Sequence, residues 1–465
     1  MATQTLDYCV DEMISHEVLN RSCLIDHGPS QLRADAVDII EHAIRAADPY
    51  EETRKLVHLE GNLLQIGTLN YDLRIWKNVF ILGAGKATQG IALALEEILG
   101  DHITDGVVIL KRGEGNHLKR IRVVYASHPV PDEASIQGAW ELVELARKAG
   151  EHDLVISAIT GGSSALAVLP PDGVSLSDKQ CMNELLLSSG ASIREINAVR
   201  KHVSLIKGGR LALEVFPAEL VILTVSDVVG DPLDYITDPT VPDTSSYIDA
   251  WNTLDKYCLW DQLPHAIREY LKRGIEIESP KSFDGKFHPF VLVAGDAAFK
   301  GAVNRCIELG YDATLIPKEI EGESCAQARA IVDQAESKFK ETRGDKPFTL
   351  IGRGETIVTI AGSHGKGGPN QEFALTAALA IQGHDGIVAA SIDMDGTDGP
   401  TVFSGAIVDG WTVARAKELG FEAEECLKNH ASTVLLKAAD DLVYTGPTGT
   451  NVNDLMFILI DRRKI

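Results

Sequence analysis

The sequence predicts an α/β protein, with a mostly parallel sheet in a first domain and a second, smaller α/β domain after it. Short aliphatic runs alternate with helix-like segments along most of the chain, which is the pattern of βαβ units. At 465 residues the chain is longer than one ordinary hydrophobic core requires, so two domains are expected. These observations predict an N-terminal extension over residues 1–30, a first domain over 31–280 and a second domain over 281–465.

The first series of elements begins with an amphipathic helix, because apolar residues between positions 34 and 44 recur at helical spacing. Further helices are predicted over Glu133–Ala149 and Leu263–Lys272. Between Asp231 and Pro289 the strand pattern gives way to prolines and aromatic residues, which separates the first series from the second. The strands of the first series are predicted at Val79–Leu82, Gly106–Leu110, Val123–Ala126, Leu154–Ala158 and Leu220–Val225.

A second series of strands follows that interruption. The last strand of this series could join the sheet of either domain. The strands of this series are predicted at Phe290–Ala294, Ala313–Ile316, Thr349–Ile351, Ile357–Ile360, Gly386–Ala390 and Leu455–Ile460.

The charge balance limits the classes of partner. The chain carries 44 basic and 67 acidic side chains, a formal net charge of −23 at pH 7. Nucleic acids and anionic membranes are recognised through basic patches, so neither is expected as a partner. No apolar run approaches the roughly 20 residues that span a bilayer, and the N-terminus lacks the pattern of a secretory signal. Seven cysteines without a C-x-x-C motif are typical of a reducing compartment, and we expect a cytoplasmic protein or one of an organelle matrix.

Four glycine-rich loops stand out, and most of them follow a predicted strand. They are Gly83–Lys86, Thr160–Ser164, Gly365–Asn370 and Thr445–Asn451. Glycine lets successive backbone N–H groups converge on an anion, and ligands of open α/β sheets bind beyond the carboxyl ends of strands. A tight turn explains any single loop equally well, but four together favour a polyanion site. The candidate phosphate ligands are Gly83, Gly85, Gly161, Gly162, Ser163, Lys366, Asn370, Thr448 and Asn451.

The loop Gly83–Lys86 raises the question of which phosphate it binds. A Walker A loop needs glycine where Phe80 stands, and the dinucleotide pattern needs glycine or alanine where Thr88 stands. Asp105 lies near the distance expected for a ribose-binding acid, but it precedes a predicted strand instead of ending one. The loop therefore fits an NAD site poorly. Lys86 is instead placed to neutralise a transferring phosphate, with a solvated first-turn lysine as the alternative.

Carboxylates follow two of the predicted strands, where Mg²⁺ or base chemistry would use them. Asp227 and Asp231 come directly after Leu220–Val225, and Mg²⁺ needs only one or two protein carboxylates because it keeps several waters. The second group, Asp393–Asp398, is explained slightly better by plain turns. His202 lies among basic residues and is expected to be structural. The chain contains no G-x-S-x-G motif, so a serine hydrolase is not expected.

Seven segments resemble the class II glycerate kinases, whose C-terminal half is called the MOFRL domain. The similarity runs from about Ala34 to the C-terminus. The segments are GAGKA at 83–87, INAVRKHVSLIKGGRLA at 196–212, SDVVGD at 226–231, PTVPD at 239–243, GGPNQEFAL at 367–375, DGTDGPT at 395–401 and TGPTGTNVNDL at 445–455.

The resemblance implies two α/β domains, the first of them Rossmann-like, with a MOFRL-like core over about residues 346–460. It also implies an active site in the cleft between the domains. The activity it implies is ATP-dependent phosphorylation of D-glycerate, usually on the 2-hydroxyl, with Mg²⁺. The lysine of GAGKA is regarded as an active-site residue of the family, and Lys86 occupies that place. Members of the family are often labelled hydroxypyruvate reductases.

The chain departs from the family pattern at charged positions. The family commonly has arginine in GGRNQE where Pro369 stands, and glycine where Asp238 stands. It also commonly has SGGET where this chain has an arginine, Arg353. A guanidinium is hard to replace where phosphate charge develops. We therefore predict that Arg353 substitutes for the missing cation, with its tip within about 8 Å of the Lys86 amine, a distance of the order of the Debye length.

These observations assign roles to a small set of residues. Catalytic roles are predicted for Lys86, Asp227 and Arg353, metal binding for Asp227 and Asp231, and substrate binding for Arg200, Lys201 and Asp238. The two basic residues of that last group are candidates for a substrate carboxylate. The expected partners are ATP and a small hydroxy acid, with a homodimer allowed as the oligomeric state. Two other functions stay open: an NAD(P)H-dependent hydroxypyruvate reductase, and a catalytically inactive nucleotide-binding relative.

Overall fold

The computed structural model of the chain describes residues 16–225, 237–283, 286–342, 344–360, 362 and 364–464. Among the described residues, no helix combines the length and the apolarity needed to cross a membrane. The helices are α1 Arg21–Ile25, α2 Ser30–Ala46, α3 Pro49–Leu56, α4 Thr88–Leu99, α5 Glu133–Ala146, α6 Ser163–Leu166, α7 Leu176–Ser188, α8 Ile193–His202, α9 Arg210–Val215, α10 Tyr247–Lys256, α11 His265–Leu271, α12 Ala297–Glu308, α13 Ser324–Glu341, α14 Pro369–Ala380, α15 Thr412–Glu418, α16 Ala423–Lys428 and α17 Ser432–Ala438. The strands are β1 Val57–Glu60, β2 Leu63–Ile66, β3 Leu69–Asp72, β4 Asn78–Ala84, β5 Asp105–Lys111, β6 Arg122–Ala126, β7 Asp153–Ile159, β8 Glu219–Val225, β9 Phe287–Val293, β10 Asp312–Leu315, β11 Ile320–Glu323, β12 Phe348–Ile357, β13 Ile387–Ile392, β14 Gly405–Asp409, β15 Leu442–Val443 and β16 Asp454–Ile460.

A six-stranded parallel sheet forms the centre of the first unit, Pro49–Ala294. Its strand order is β6-β5-β4-β7-β8-β9, and each neighbouring pair is parallel. The chain moves outward in one direction from β4 to β6 and in the other from β7 to β9, so the order reverses between β4 and β7. Ligands of open α/β sheets bind at the carboxyl ends of the strands at such a reversal. The loops that follow β4 and β7 therefore lie where a ligand is expected.

The central strands form because their aliphatic residues are buried on both faces of the sheet. Every residue of β7 is buried; β4 is buried except at its first residue, and β5 except at its first and last residues. Helix α5 packs on this sheet, with Leu142 and Val143 in the same core as Leu82 and Ile109. Continuous aliphatic runs are typical of parallel strands that are covered on both sides. Since β4 and β7 are parallel, the glycine-rich loops that follow them emerge at the same edge of the sheet.

Helix α8 is placed by its first residues and by its partner helix. The Ser192 side chain accepts from the Glu195 amide, and the Glu195 side chain accepts from the Ser192 amide, which forms a capping box. Ile196 and Val199 pack with residues of α10 in a second core. The basic residues of the segment 200–202 therefore lie in the last turn of α8.

A mixed seven-stranded sheet forms the centre of the second unit, which joins the segment ending at Asp48 to residues from Gly295 onward. The order is β10-β12-β16-β13-β14-β15, and β11 also pairs with β12. The last strand, β16, lies between β12 and β13 and is antiparallel to both. Helix α14 lies over this sheet and buries Phe373 and Leu375 in the core of the unit.

Arg33 on α2 ties that helix to the second sheet. Its guanidinium is fully buried and donates to the carboxylates of Asp409 and Asp441, each at 2.7 Å, and to the Ile407 carbonyl at 3.1 Å. Arg415 pairs with the same two carboxylates at 2.9 and 3.0 Å. Because a buried charge is tolerated only when it is paired and hydrogen-bonded, α2 is an integral part of the second unit.

The structure divides the chain differently from the sequence prediction. Strand β9 pairs with β8 and completes the first sheet, so the predicted boundary at 280 moves to between Ala294 and Gly295. Helix α2 packs on α12 in the second unit, although it was predicted to belong to the first. The predicted extension also contributes structure, since the Leu19 amide donates to the Tyr444 carbonyl at 2.8 Å. The predicted strand Ile357–Ile360 is not formed, since Ile357 is the last residue of β12 and residues 358–360 follow it outside any strand.

Candidate active site

The loops after β4 and β7 interlock where the strand order reverses. The Lys86 amide donates to the Gly161 carbonyl at 2.9 Å, and the Thr160 amide donates to the Ala84 carbonyl at 3.0 Å. A Cβ at Gly85 would collide with Thr160, so only glycine permits this close approach. The half-buried side chain of Lys86 is thereby placed beside the second loop.

The amides around Gly85 do not form the anion site that was predicted for Gly83 and Gly85. Each of these N–H groups already donates within the protein, so none is directed at a ligand. The occupied amides also weaken the dinucleotide interpretation, which needs them for a pyrophosphate. The Gly85 amide donates to the Ile109 carbonyl at 3.3 Å, and the Lys86 amide to the Gly161 carbonyl at 2.9 Å. The Ala87 amide donates to the Thr160 hydroxyl at 3.1 Å, and the Thr88 amide to the Gly85 carbonyl at 3.3 Å.

The loop Thr160–Ser164 contains open amides instead. Within the described parts of the chain, no group accepts a hydrogen bond from the amides of Gly161, Gly162 or Ser164. Gly162 adopts a left-handed φ of 87°, a conformation in which successive N–H groups can converge on an anion. The Ser163 amide donates to the Thr160 carbonyl at 3.2 Å, so the third open amide belongs to Ser164 and not to the predicted Ser163.

His128, which the sequence did not single out, faces the same loop. A Cβ at Gly162 would lie 3.2 Å from Cγ of Lys86 and 3.4 Å from both Cδ2 and Nε2 of His128. The two side chains therefore lie against one glycine, although they come from loops after different strands. In the sequence, His128 stands before Pro129 and belongs to no motif whose spacing would predict this contact.

Lys207 lies behind the loop and holds it in place. Its Nζ donates to the Ser164 carbonyl at 2.9 Å and to the Ala167 carbonyl at 3.3 Å. Burial lowers the pKa of Lys207 well below its usual range, and the nearby cations Lys179 and Arg200 lower it further. Burial likewise lowers the pKa of Lys179 to about 7. Lys207 stands within the family-like segment at 196–212, but the sequence alone assigned it no role.

The structure does not support a substrate role for Lys201. The side chain is buried, and its Nζ donates to Oδ1 of Asp243 at 2.8 Å, so its charge is already balanced. Arg200 is half-buried and donates from Nε to Oδ1 of Asn183 at 3.1 Å, and its substrate role stays a prediction. His202 is buried between the Ala198 carbonyl and the Glu278 carboxylate, as expected of a structural histidine.

Asp238 is a buried carboxylate with one oxygen in use. Oδ1 accepts from the amide and the hydroxyl of Thr240, both at 2.6 Å. Of the residues described, none donates a hydrogen bond to Oδ2. Burial raises the pKa of Asp238 to about 6, against the opposing effects of Thr240 and Lys207. Its predicted role in substrate binding stays a prediction.

In the second unit, Asn370 is part of the framework and is not placed to bind phosphate. Its Nδ2 donates to Oδ2 of Asp454 at 2.8 Å, and its Oδ1 accepts from the Ser391 hydroxyl at 2.6 Å. The amides of Asn370 and Gln371 donate to the Asp398 carboxylate at 3.0 and 2.9 Å. An anion of the protein therefore already caps the start of α14. This contradicts the prediction that Asn370 binds a phosphate.

The other predicted phosphate ligands of this unit differ in exposure. Thr448 is buried and donates to the Met394 carbonyl at 2.6 Å, so it too is a framework residue. Lys366 is exposed and Asn451 is half-buried, and their roles stay predictions. The group Asp393–Asp398 forms turns and a helix cap, because the Asp395 amide donates to Oδ1 of Asp393 at 2.9 Å and Asp398 caps α14.

Known proteins match the chain over nearly its whole length. A profile described as "Domain of unknown function (DUF4147)" matches residues 35–272, and the MOFRL family profile matches residues 348–454. A glycerate 2-kinase of Pyrococcus horikoshii is 38% identical over 440 residues, which cover 93% of this chain and 98% of that protein. A D-glycerate 2-kinase of Thermotoga maritima is 39% identical over 436 residues, which cover 93% of this chain and 99% of that protein.

The chain belongs to the glycerate 2-kinase family. A crystal structure of a Thermotoga maritima glycerate kinase matches the fold with a TM-score of 0.78 at 37% sequence identity, over 93% of this chain and 100% of that one. The resemblance seen in the sequence is thereby confirmed, as is the α/β fold with two domains.

Within this family, the start of α14 explains how proline is accommodated. Pro369 is the first residue of the helix, where the missing N–H has no intrahelical partner to lose and the fixed φ suits the helix. Proline supplies no cation at the position where the family commonly has arginine. If Arg353 replaces that cation, as predicted, the positive charge comes from β12.

Arg353 lies on β12, where it contacts two residues of the second unit. Its guanidinium carbon is 5.1 Å from the centre of the Phe299 ring, and its Nε is 3.7 Å from Oε1 of Glu319. A guanidinium in this position is attracted by the face of the ring and by the carboxylate. The predicted approach of this guanidinium to the amine of Lys86 stays a prediction.

The predicted metal ligands Asp227 and Asp231 lie outside the described residues. Within the described ranges, the group with metal-ligand spacing consists of His27, Asp409 and Asp441. Its carboxylates are already paired with Arg33 and Arg415, so this group is a network of salt bridges.

Proposed function

We propose that this protein is an ATP-dependent kinase that phosphorylates D-glycerate, or a closely related small hydroxy acid, at its 2-hydroxyl. The observation that carries the proposal is Lys86 beside the open amides of Gly161, Gly162 and Ser164, where the strand order reverses. Phosphoryl transfer depends on oriented donors and on neutralised charge more than on covalent chemistry. In a chain of the glycerate 2-kinase family, this loop supplies both.

The proposed mechanism uses the loop as a fixed set of donors. The three amides receive oxygens of the donor phosphate, and Lys86 neutralises the charge that develops as the phosphoryl group moves. Lys207 holds the carbonyl of Ser164 from behind, so the amides need not reorganise during the transfer. The acceptor hydroxyl gives its proton to a base, for which Asp227 is our candidate.

Mg²⁺ belongs to the same proposal. Carboxylate oxygens suit this ion, and bound to the phosphates it would neutralise their charge. We assign it to Asp227 and Asp231 on their position after β8 in the sequence.

The hydroxypyruvate reductase alternative has less physical support. A nicotinamide dinucleotide bound at the turn after β4 would need the amides that follow Gly83. Those of Gly85 and Lys86 donate instead to carbonyls of Ile109 and Gly161. The ADP-release assay distinguishes an active kinase from a catalytically inactive relative.

We also propose that the protein is a homodimer and that it is cytoplasmic. Light scattering on the purified protein tests the oligomeric state.

The experiment is an ADP-release assay with ATP, Mg²⁺ and a series of C3–C5 sugar acids, with NADH oxidation by hydroxypyruvate followed in parallel. We expect ADP release that depends on D-glycerate and a 2-phosphorylated product by ³¹P NMR. NADH oxidation without ADP release would establish the reductase. The absence of both activities, together with retained ATP binding, would establish the inactive relative.

The role of Lys86 is tested by Lys86→Met, which removes the charge and keeps most of the volume. Loss of an interaction with developing phosphate charge costs about 10²- to 10³-fold in kcat. The matched control is Lys77→Met, because Lys77 is exposed and precedes the same strand at its opposite end. Near wild-type turnover of Lys86→Met would remove the assigned role.

A further inference from the structure

His128 lies at the phosphate loop and has no role in the mechanism above. It follows β6, two strands away from β4 in the sheet, yet its ring reaches the loop that follows β7. Nε2 and Cδ2 form the edge of the imidazole that faces Gly162, since both lie 3.4 Å from the position of a Cβ on that glycine. A polar atom of the ring thus lies beside a glycine whose amide is open within the described residues.

The backbone on either side of His128 is anchored, which fixes the approach of the ring. The Ser127 amide donates to Oδ1 of Asp132 at 3.3 Å, and the same oxygen accepts from the Ser135 amide at 3.1 Å, at the start of α5. Arg112 donates to the other oxygen of this carboxylate at 2.6 Å. One side chain therefore ties the loop that carries His128 to a helix and to the end of the neighbouring strand. A group held in this way can act without reorganising.

Glycine at position 162 keeps the space between the two side chains open. The Lys86 stem and the His128 edge both contact the volume that a Cβ would fill. A phosphate on the amides of Gly161 and Gly162 would lie close to both the Lys86 side chain and the His128 imidazole. Charge that spreads over three phosphoryl oxygens is best stabilised by donors from more than one direction.

We propose that His128 is a catalytic residue of the phosphoryl transfer, which donates a hydrogen bond from Nε2 to an oxygen of the transferring phosphoryl group opposite Lys86. This inference rests on the proposed kinase function and extends it. In the step, the bond between the γ-phosphorus and the bridging oxygen breaks and its electron pair stays on ADP. The bond from the acceptor oxygen to phosphorus forms, and the acceptor proton passes to the base. His128 keeps its proton throughout and stabilises charge only.

The test compares three variants of the full-length protein. His128→Ala removes the donor, and we expect kcat to fall about 10²-fold, as for the loss of one donor to a developing oxyanion. His128→Gln offers an amide N–H near the position of Nε2, and we expect it to retain at least about ten times the kcat of the alanine variant. His152→Gln is the matched control, because His152 is exposed and precedes β7 at the opposite end of the sheet. It is expected to match the wild type.

The outcomes separate a catalytic role from a structural one. If His128 only packs against the loop, the alanine and glutamine variants lose turnover together with thermal stability. Wild-type kcat in His128→Ala would also overturn the proposal. If the wild type does not phosphorylate D-glycerate, the proposed function fails by itself, and calorimetry with ATP then decides about His128. Unchanged ATP affinity in His128→Ala would in that case refute the contact, and an affinity at least about tenfold weaker would support it.

Discussion

Gly162→Ala tests the geometry of the phosphate loop with one methyl group. The left-handed φ of 87° costs a residue with a Cβ about 1–2 kcal/mol, so the variant should be less stable by that amount. The new Cβ would also lie 3.2 Å from Cγ of Lys86, which is tighter than an ordinary contact, and 3.4 Å from His128, which is at the short limit of one. The Lys86 side chain therefore has to move by a few tenths of an ångström, and the space beside His128 is filled. Because a misplacement of 1 Å can cost about 10²-fold in rate, we expect kcat to fall about tenfold.

Gly173→Ala separates the two effects. Gly173 has a nearly equal φ of 83°, and a Cβ there would meet no atom within 4 Å. The two variants should therefore lose similar stability in a thermal melt, and only Gly162→Ala should lose turnover in the ADP-release assay. Equal kcat in the two variants would refute the inference that Lys86 and His128 act together at Gly162. A much larger loss of stability in Gly162→Ala would point to disruption of the loop itself.

Three further variants test other parts of the molecule. Arg353→Gly restores the residue that the family commonly has. If Arg353 replaces the missing cation, we expect kcat to fall about 10²-fold. Full activity in the ADP-release assay would rule the replacement out. For Asp238, whose pKa is raised to about 6, the folded state holds more protons than the unfolded state between about pH 4 and 6, so stability falls as pH rises through this window. Asp238→Asn should flatten that part of the pH dependence in urea titrations, and an unchanged slope would contradict the assigned burial. Arg33→Met leaves the buried carboxylates of Asp409 and Asp441 with one guanidinium, that of Arg415, and should destabilise the second unit by about 3–5 kcal/mol. The control Arg45→Met, on the exposed face of the same helix, should change stability little. Hydrogen exchange of β14 and β15 measures both variants, and equal protection in the two would refute the role of Arg33.

The sequence predicted the strands of the first sheet well and their assignment to units less well. Strands such as β7 were visible because every residue is buried and aliphatic. The pairing of β9 was not visible, because it depends on the partner strand β8 and not on the local pattern. The apolar face of α2 likewise shows that the helix is packed, but not on which sheet. The buried Arg33 explains the choice only once Asp409 and Asp441 are seen beside it.

The candidate site was predicted in part for a similar reason. The spacing of the glycines led to Lys86 and to the loop Thr160–Ser164, because a strand followed by glycines is a local pattern. Which amides remain open was not predictable, since three of the four acceptors for the amides after β4 come from β5 and from the loop after β7. Asn370 and Lys201 were predicted as ligands on residue type, and both have partners that lie far away in the sequence. His128 was missed because it reaches the site from the loop after β6.

The chain leaves the second unit after Asp48 and returns to it at Gly295, so the first unit is inserted between two parts of the second. During synthesis α2 therefore emerges early, while the strands it packs on do not yet exist. Strand β16, which lies between β12 and β13, is synthesised after every strand of the first unit. The inserted unit has all its strands available by then and can fold first. A fragment that starts at residue 280 or 295 lacks Arg33, so we expect it to require residues 16–48, supplied in trans or joined by a circular permutation, to become stable.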